Sequence, residues 1–260
     1  MTAGTFFAIW LGQLITEQGI GQGISIIIFG GIVARVPQNI AQLLADPVRA
    51  PVALVAFILV IVLTVFVIVY VQEGERRIPV QYGKRVRGRR VFGGGSTFIP
   101  LKVNMSGMIP LIFAQSLLVL PAIIFQILAG SPNPDIANFF NNLAQAFSGG
   151  RHSLSFLYWI MMFLLVVGFT FFYTDVLMQQ QNMADTLQKQ GGFIPGIRPG
   201  QRTQEYIMAV SRRITLVGAL FLGGIAVLPF FLTVLDIIPN AMNMSILSTG
   251  MLIVVGVAMD

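Results

Sequence analysis

Pro51-Val-Ala-Leu-Val-Ala-Phe-Ile-Leu-Val-Ile-Val-Leu-Thr-Val-Phe-Val-Ile-Val-Tyr-Val71 decides the fold class, because it contains no Asp, Glu, Lys, Arg or His. A bilayer core of about 30 Å takes about 20 helical residues to cross, and lipid leaves no backbone group unpaired without cost. This stretch has that length and chemistry. Charge-free runs of similar character cover roughly residues 103–129, 153–174, 214–235 and 237–259, the last with a helix predicted from near Asn243 after Pro239. A shorter run, 24–34, is long enough only if Gly19-Ile-Gly-Gln-Gly23 enters the membrane with it. The opening stretch, 2–11, is too short to cross and lacks the basic leader of a signal peptide, so it reads as the tail of a helix whose beginning is missing.

The composition agrees. Of the 260 residues 55% are apolar and 10% charged, against about 25% charged in a soluble domain. There is no cysteine, hence no disulfide, thiolate metal site or Cys nucleophile, and one histidine, His152, which rules out a His-pair metal motif. His152 falls in a loop beside Arg151 and reads as a solvated residue. The spans hold no ionisable group at depth, which weighs against proton- or ion-coupled transport and against an intramembrane hydrolase. A passive helical scaffold remains, or a conduit whose apolar lining holds ions back by dewetting. The glycines at 93–95 and at 19, 21 and 23 lack the flanking strand, helix and phosphate-binding partners of a nucleotide loop. No cofactor is expected.

Lys and Arg set the orientation. The segment 72–102 carries Arg76, Arg77, Lys84, Arg85, Arg87, Arg89, Arg90 and Lys102, and the segment 175–213 carries Lys189, Arg198, Arg202, Arg212 and Arg213. The other side has only Arg35, Arg49 and Arg151, so thirteen face three. Both basic loops, and Asp260, are therefore predicted on the cytoplasmic side. Trp10, Tyr70 and Tyr173 then fall at inner helix ends, and Tyr158 and Trp159 at an outer end.

The first loop reads Glu75-Arg-Arg-Ile-Pro-Val-Gln-Tyr-Gly-Lys-Arg85 and then Arg87-Gly-Arg-Arg-Val-Phe-Gly-Gly-Gly-Ser-Thr-Phe-Ile-Pro-Leu-Lys-Val-Asn104. Ile78, Val80 and Tyr82 alternate with polar neighbours, and Val91 and Phe92 follow Gly88, which predicts a short basic hairpin. In the second loop a helix continues past Tyr173, with Val176, Leu177, Met183, Ala184 and Leu187 on one side, until Gly191 and Gly192 cap it. Phe193-Ile-Pro-Gly-Ile-Arg-Pro-Gly200 follows, a stiff tip that holds the Arg198 guanidinium away from the membrane.

These motifs, together with Ile15-Thr-Glu-Gln-Gly-Ile-Gly-Gln-Gly-Ile-Ser25, resemble the SecY family of protein-conducting channels across the whole chain, from late in that family's fourth transmembrane helix through its tenth. The resemblance implies an all-α polytopic membrane bundle that lacks most of the first of two inverted halves. Residues 1–50 correspond to a remnant of the first half, and 51–260 to the second half with its cytoplasmic loops 72–102 and 175–213. The first three helices, the plug and the basic tail after the tenth helix are not represented. Either this is a fragment, or another chain supplies the missing amino-terminal helices; alone it should not seal a pore.

The resemblance also implies roles. A mid-membrane collar that closes around a passing polypeptide maps to Ile24, Ile28, Ile112 and Ile253, although the residues alone favour ordinary lipid-facing or packing roles, since isoleucine fills every span. Ile24 and Ile28 are four apart and share a helix face. Gln115 and Ser116, polar in the apolar helix 105–128, are either lateral-gate contacts or simple helix-to-helix hydrogen bonds. Pro110 and Pro121 free backbone carbonyls that would ease bending. Arg85, Arg87, Arg89, Arg90 and Arg198 fit docking on ribosomal RNA and the SecA ATPase, and Lys102 fits either docking or membrane anchoring. Other implied partners are SecE, SecG, an unfolded preprotein and membrane lipid, in the bacterial inner membrane. The chain would perform no bond chemistry. A secondary transporter for a small solute is the rival reading, and a purely structural membrane subunit a third.

Overall fold

The computed structural model describes residues 2–19, 23–34, 37–38, 41, 50–82, 85–87, 90–92, 95–131, 133–147, 155–234, 250 and 255. The helices are α1 (Thr2–Glu17), α2 (Gly23–Val33), α3 (Ala50–Gln72), α4 (Ile109–Leu128), α5 (Pro134–Phe147), α6 (Ser155–Gln181), α7 (Met183–Lys189) and α8 (Gln201–Val234). The strands are β1 (Glu75–Tyr82), β2 (Arg85–Arg87), β3 (Arg90–Phe92), β4 (Ser96–Lys102) and β5 (Gly192–Phe193). Among the described residues four helices, α3, α4, α6 and α8, are long and apolar enough to cross a membrane. They answer four of the predicted spans; the fifth, 237–259, lies outside the described residues apart from Gly250 and Val255.

The four helices share one core. Ile68 of α3, Leu111, Ala114 and Leu118 of α4, Met162 and Val166 of α6, and Leu222, Ile225 and Ala226 of α8 are buried together, with Val255 of the last span. Lipid gives apolar side chains no reason to cluster, so close backbone approach has to supply the attraction. Gly223 of α8 provides it against α6, where a methyl group would meet the Phe163 ring at 2.7 Å. Gly250 does the same against Ile32 of α2, which seats the last span beside α2.

Three expectations change here. The α2 helix begins at Gly23, after a turn at Gln18 and Gly19, so at 11 residues and about 16 Å it does not gain the preceding glycines as extra length. Gly19 and Gly23 serve a hairpin instead. A side chain at Gly23 would collide with the Gly12 carbonyl, and Thr16 Oγ1 accepts the Gly23 N–H at 2.9 Å while donating to the Gly12 carbonyl at 2.8 Å. Trp10 accordingly lies midway along α1, its ring tilted against that of Phe7 at 5.9 Å, because the helix continues to Glu17. Trp159 is buried against Phe230 of α8 and so belongs to helix packing, not to an interfacial belt.

The α4 helix also starts later than its charge-free run. Residues 103–108 form a turn in which Asn104 Nδ2 donates to the Gly107 carbonyl and Ser106 Oγ donates to Asn104 Oδ1. Pro110 then occupies the first turn of α4, where its missing N–H costs nothing, so only Pro121 interrupts the helix interior. The turn is pressed onto α8: a methyl group at Gly218 would lie 2.5 Å from the Val103 carbonyl oxygen.

Replacing Gly218 with Leu should therefore cost about 1–3 kcal/mol and lower the temperature at which the detergent-solubilised chain loses its helical circular dichroism. The same change at Gly224, which faces open space, should leave that temperature unchanged.

Candidate functional site: a basic cap built from two loops

The two basic segments, separated by 72 residues of sequence, fold into one unit. β1 pairs antiparallel with β4 from Glu75 opposite Lys102 to Gln81 opposite Ser96. Its other side pairs with β5, Gln81 opposite Phe193 and Tyr82 opposite Gly192, giving the sheet order β4-β1-β5. The alternation of Ile78, Val80 and Tyr82 thus marks a strand as predicted, but its partner is β4. Val91 and Phe92 belong to a separate two-stranded ribbon, β2 with β3. Pro79 stands opposite Phe98 and Pro100 opposite Arg77.

The inner face of the sheet closes over the helix ends. Ile78, Val80 and Leu101 are buried with Met178 of α6, Leu187 of α7, Ile194 of the tip and Ile207 of α8. Gly192 is held between Tyr82, Val80 and Leu187, each 3.1 to 3.3 Å from where a Cβ would stand, so a larger residue would have to push these side chains back by a few tenths of an ångström. The Tyr82 hydroxyl donates to Gln190 Oε1 at 3.4 Å and ties the first loop to the second.

Most of the second segment is helical, because α6 and α8 project past their apolar portions and only residues around 190–200 are irregular. The predicted continuous helix breaks at Asn182, which takes a left-handed conformation with φ 41°. Asparagine adopts that region at lower cost than most residues. Gly191, with φ 73°, then ends α7, while Gly192 is already in β5. Asp175 and Arg212 clasp α6 to α8, with Nε to Oδ1 at 3.2 Å and Nη2 to Oδ2 at 2.8 Å. From sequence, Asp175 falls on a helix that continues past Tyr173, but its pairing with Arg212 is not foreseen. Its signal was an acid on one helix and a base on its antiparallel neighbour.

Arg198 sits on the tip between Gly196, φ 84°, and Gly200, φ 110°. Its carbonyl accepts the buried Thr203 hydroxyl at 3.0 Å, and the Ile197 N–H closes a turn onto Ile194. The backbone is pinned while the side chain is exposed, and among the described residues no carboxylate pairs with the guanidinium. Lys102 is exposed opposite Glu75, which also accepts Arg77 Nε at 2.6 Å. Arg85 and Arg87 lie on β2 and Arg90 on β3, in the ribbon; Arg89 lies outside the described residues.

In the helices, Ile24 is 53% exposed, and Ile28 and Ile112 are each 38% exposed. Ile253 lies outside the described residues, between Gly250 against Ile32 of α2 and Val255 in the four-helix core. Ser116 Oγ donates to the Ile112 carbonyl at 2.8 Å, so its hydroxyl is satisfied within α4. Gln115 is half-buried beside it.

A family model described as SecY matches residues 1–260. The protein translocase subunit SecY of Thermotoga maritima is 43% identical over 262 residues, which take in all of this chain and 56% of that protein. The corresponding subunit of Aquifex aeolicus is 42% identical over 263 residues, again the whole chain and 58% of the relative. The chain thus spans little more than half the length of these relatives. A solved structure of a protein conducting channel superposes with a TM-score of 0.53 over 98% of this chain and 62% of its own, at 18% identity, a likeness of fold.

A Val80→Asp substitution buries a carboxylate in the core common to both loops, at a cost on the order of several kcal/mol. Trypsin should then cleave faster at Arg77 and, in the second segment, at Lys189 together, as read by mass spectrometry of the released peptides. Acceleration at Arg77 alone would mean two independent loops.

Proposed function

Because this chain belongs to the SecY family, we propose that it forms the carboxy-terminal part of a pore-forming translocase subunit. That subunit conducts unfolded preproteins across, and nascent membrane proteins into, a bacterial inner membrane. The observation that carries this reading is the pairing of spans without ionisable groups with a rigid basic cap at one end. Apolar walls suit a conduit that must pass polypeptide and reject ions, and they suit coupled transport of a small solute poorly.

In this reading residues 1–50 are a remnant of one half of the channel and 51–260 its other half, with the cap and Asp260 in the cytoplasm. Ile24, Ile28, Ile112 and Ile253 form part of the collar. The exposure of the first three supports it, since a collar residue must present its side chain to the passing chain. The α4 and α6 helices form one wall of a lateral exit, with Gln115 and Ser116 on α4. SecE, SecG and helices corresponding to the amino-terminal part of the family's subunit complete the enclosure. Energy comes from SecA or a translating ribosome docked on the cap, where Arg198, Arg85, Arg87, Arg89, Arg90 and Lys102 meet acidic side chains or RNA phosphate. Arg198 is the best suited of these, because its backbone is fixed and its guanidinium is unpaired among the described residues.

A photo-crosslinker at Ile112 or Ile253, in an assembled complex holding a stalled preprotein, should trap that preprotein, as read by gel shift. A complex that translocates yet gives no adduct at either position removes the collar assignment. Arg198→Glu should reduce SecA-driven export by at least about tenfold, since a like-charge contact costs a docked interface several kcal/mol, while ribosome-driven insertion falls far less. Equal losses in the two assays would take Arg198 out of the SecA contact.

A further inference from the structure

α5 is a 14-residue helix with one apolar side. Ile136, Phe139, Phe140, Leu143 and Phe147 recur at helical spacing, while Asn138, Asn141 and Asn142 occupy the other side. The carboxy-terminal half of that apolar side is used by the protein. Phe140 stacks on Phe125 of α4 with ring centres 6.2 Å apart, Phe147 meets the same ring at 5.5 Å, and Ala146 is buried. The amino-terminal half is bare: Ile136 is 44% exposed and Phe139 61%. This surface continues onto the end of α4, where Ile124, Ile127 and Leu128 are also exposed. The 20 residues of α4 put that end about 30 Å from the cap, at the opposite membrane face.

The charge pattern selects the cover. The helix carries no Lys or Arg and one acid, Asp135, and the first base beyond it is Arg151, four residues past its end, so α5 itself holds no charge that would recruit an anionic partner or an anionic headgroup. The apolar surface is continuous with the lipid-facing side of a span, and the opposite side carries uncharged amides. We propose that α5 lies in the plane of the membrane surface remote from the cap. Ile136 and Phe139 are embedded among the acyl chains of uncharged phospholipid, with Asn138, Asn141 and Asn142 toward headgroups and water. The Phe125, Phe140 and Phe147 rings then fasten the far end of α4 to that lipid layer. This rests on α4 spanning the membrane and not on polypeptide conduction.

The chain contains no cysteine, so single labels are unambiguous. An environment-sensitive fluorophore on Phe139→Cys, Asn142→Cys or Leu120→Cys is read in the full chain in phosphatidylcholine vesicles. Leu120 is an exposed residue in the interior of α4. The label at 139 should emit to the blue of that at 142 and be quenched several-fold more by shallow spin-labelled lipid, while aqueous iodide quenches the label at 142. Added anionic lipid should change neither. Ile136→Cys repeats the measurement if Phe139→Cys does not insert. Equal iodide quenching at 139 and 142, equal lipid quenching at both, shielding of 139 from both quenchers, or dependence on anionic lipid each overturns the proposal. If position 120 is quenched by lipid in that case, only the α5 proposal fails; if it is quenched by iodide, the membrane reading of α4 fails with it.

Discussion

Lipid cannot hydrogen-bond to a peptide group, and that constraint decides where each irregular piece of this chain is allowed to be. The four long helices keep their backbone groups paired internally, and the departures from helix gather at the ends. The turn at 103–108, the strands, the break at Asn182 and the tip around Arg198 all belong to one end of the bundle. There they pair with one another instead of with lipid. The cap is thus what a membrane chain does with backbone that is not helical, and its burial under Ile78, Val80 and Leu101 gives it a core of its own.

That arrangement couples the cap to the bundle. β4 leads through the Asn104–Ser106 turn straight into α4, the turn is pinned by the close approach of Gly218, and α6 and α8 carry the cap's floor on the same rigid helices that build the four-helix core. The Asp175–Arg212 clasp holds those two helices together between the two cores. A force applied at the tip therefore reaches α4, α6 and α8 through packed side chains and not through a loose linker.

The spans were legible because a charge-free run of bilayer length has one stable outcome, and the basic segments because charge cannot be hidden in lipid. What escaped was everything set by partners distant in sequence. The alternation of Ile78, Val80 and Tyr82 announced a strand but could not say that Ser96–Lys102, beyond an inserted ribbon, would outcompete Val91 and Phe92 as its neighbour. The pairing of Tyr82 with Gly192 leaves no local trace at all. Trp159 looked interfacial because an aromatic near a span end usually is, and Phe230 from α8 decides otherwise. The glycines at 19 and 23 read as candidates for extra span length, whereas the left-handed turn at Gly19 and the close crossing of Gly23 on Gly12 account for them. Of the candidate site, Arg198 could be placed from its flanking prolines and glycines, while the collar depends on how helices pack and could come only from resemblance.

The prolines of the cap sheet carry a further consequence. β5 covers only the last two residues of β1, so most of that flank, like the outer flank of β4, is an open edge. Pro79 and Pro100 stand two rungs apart on one ladder, where each nitrogen faces away from the β1–β4 pairing and leaves its edge without a donor at that rung. Arg76 and Arg77 add charge to the same flank. Such edges are poor templates for strand addition. The sheet can therefore stand beside extended, unfolded polypeptide without zipping onto it or seeding its aggregation.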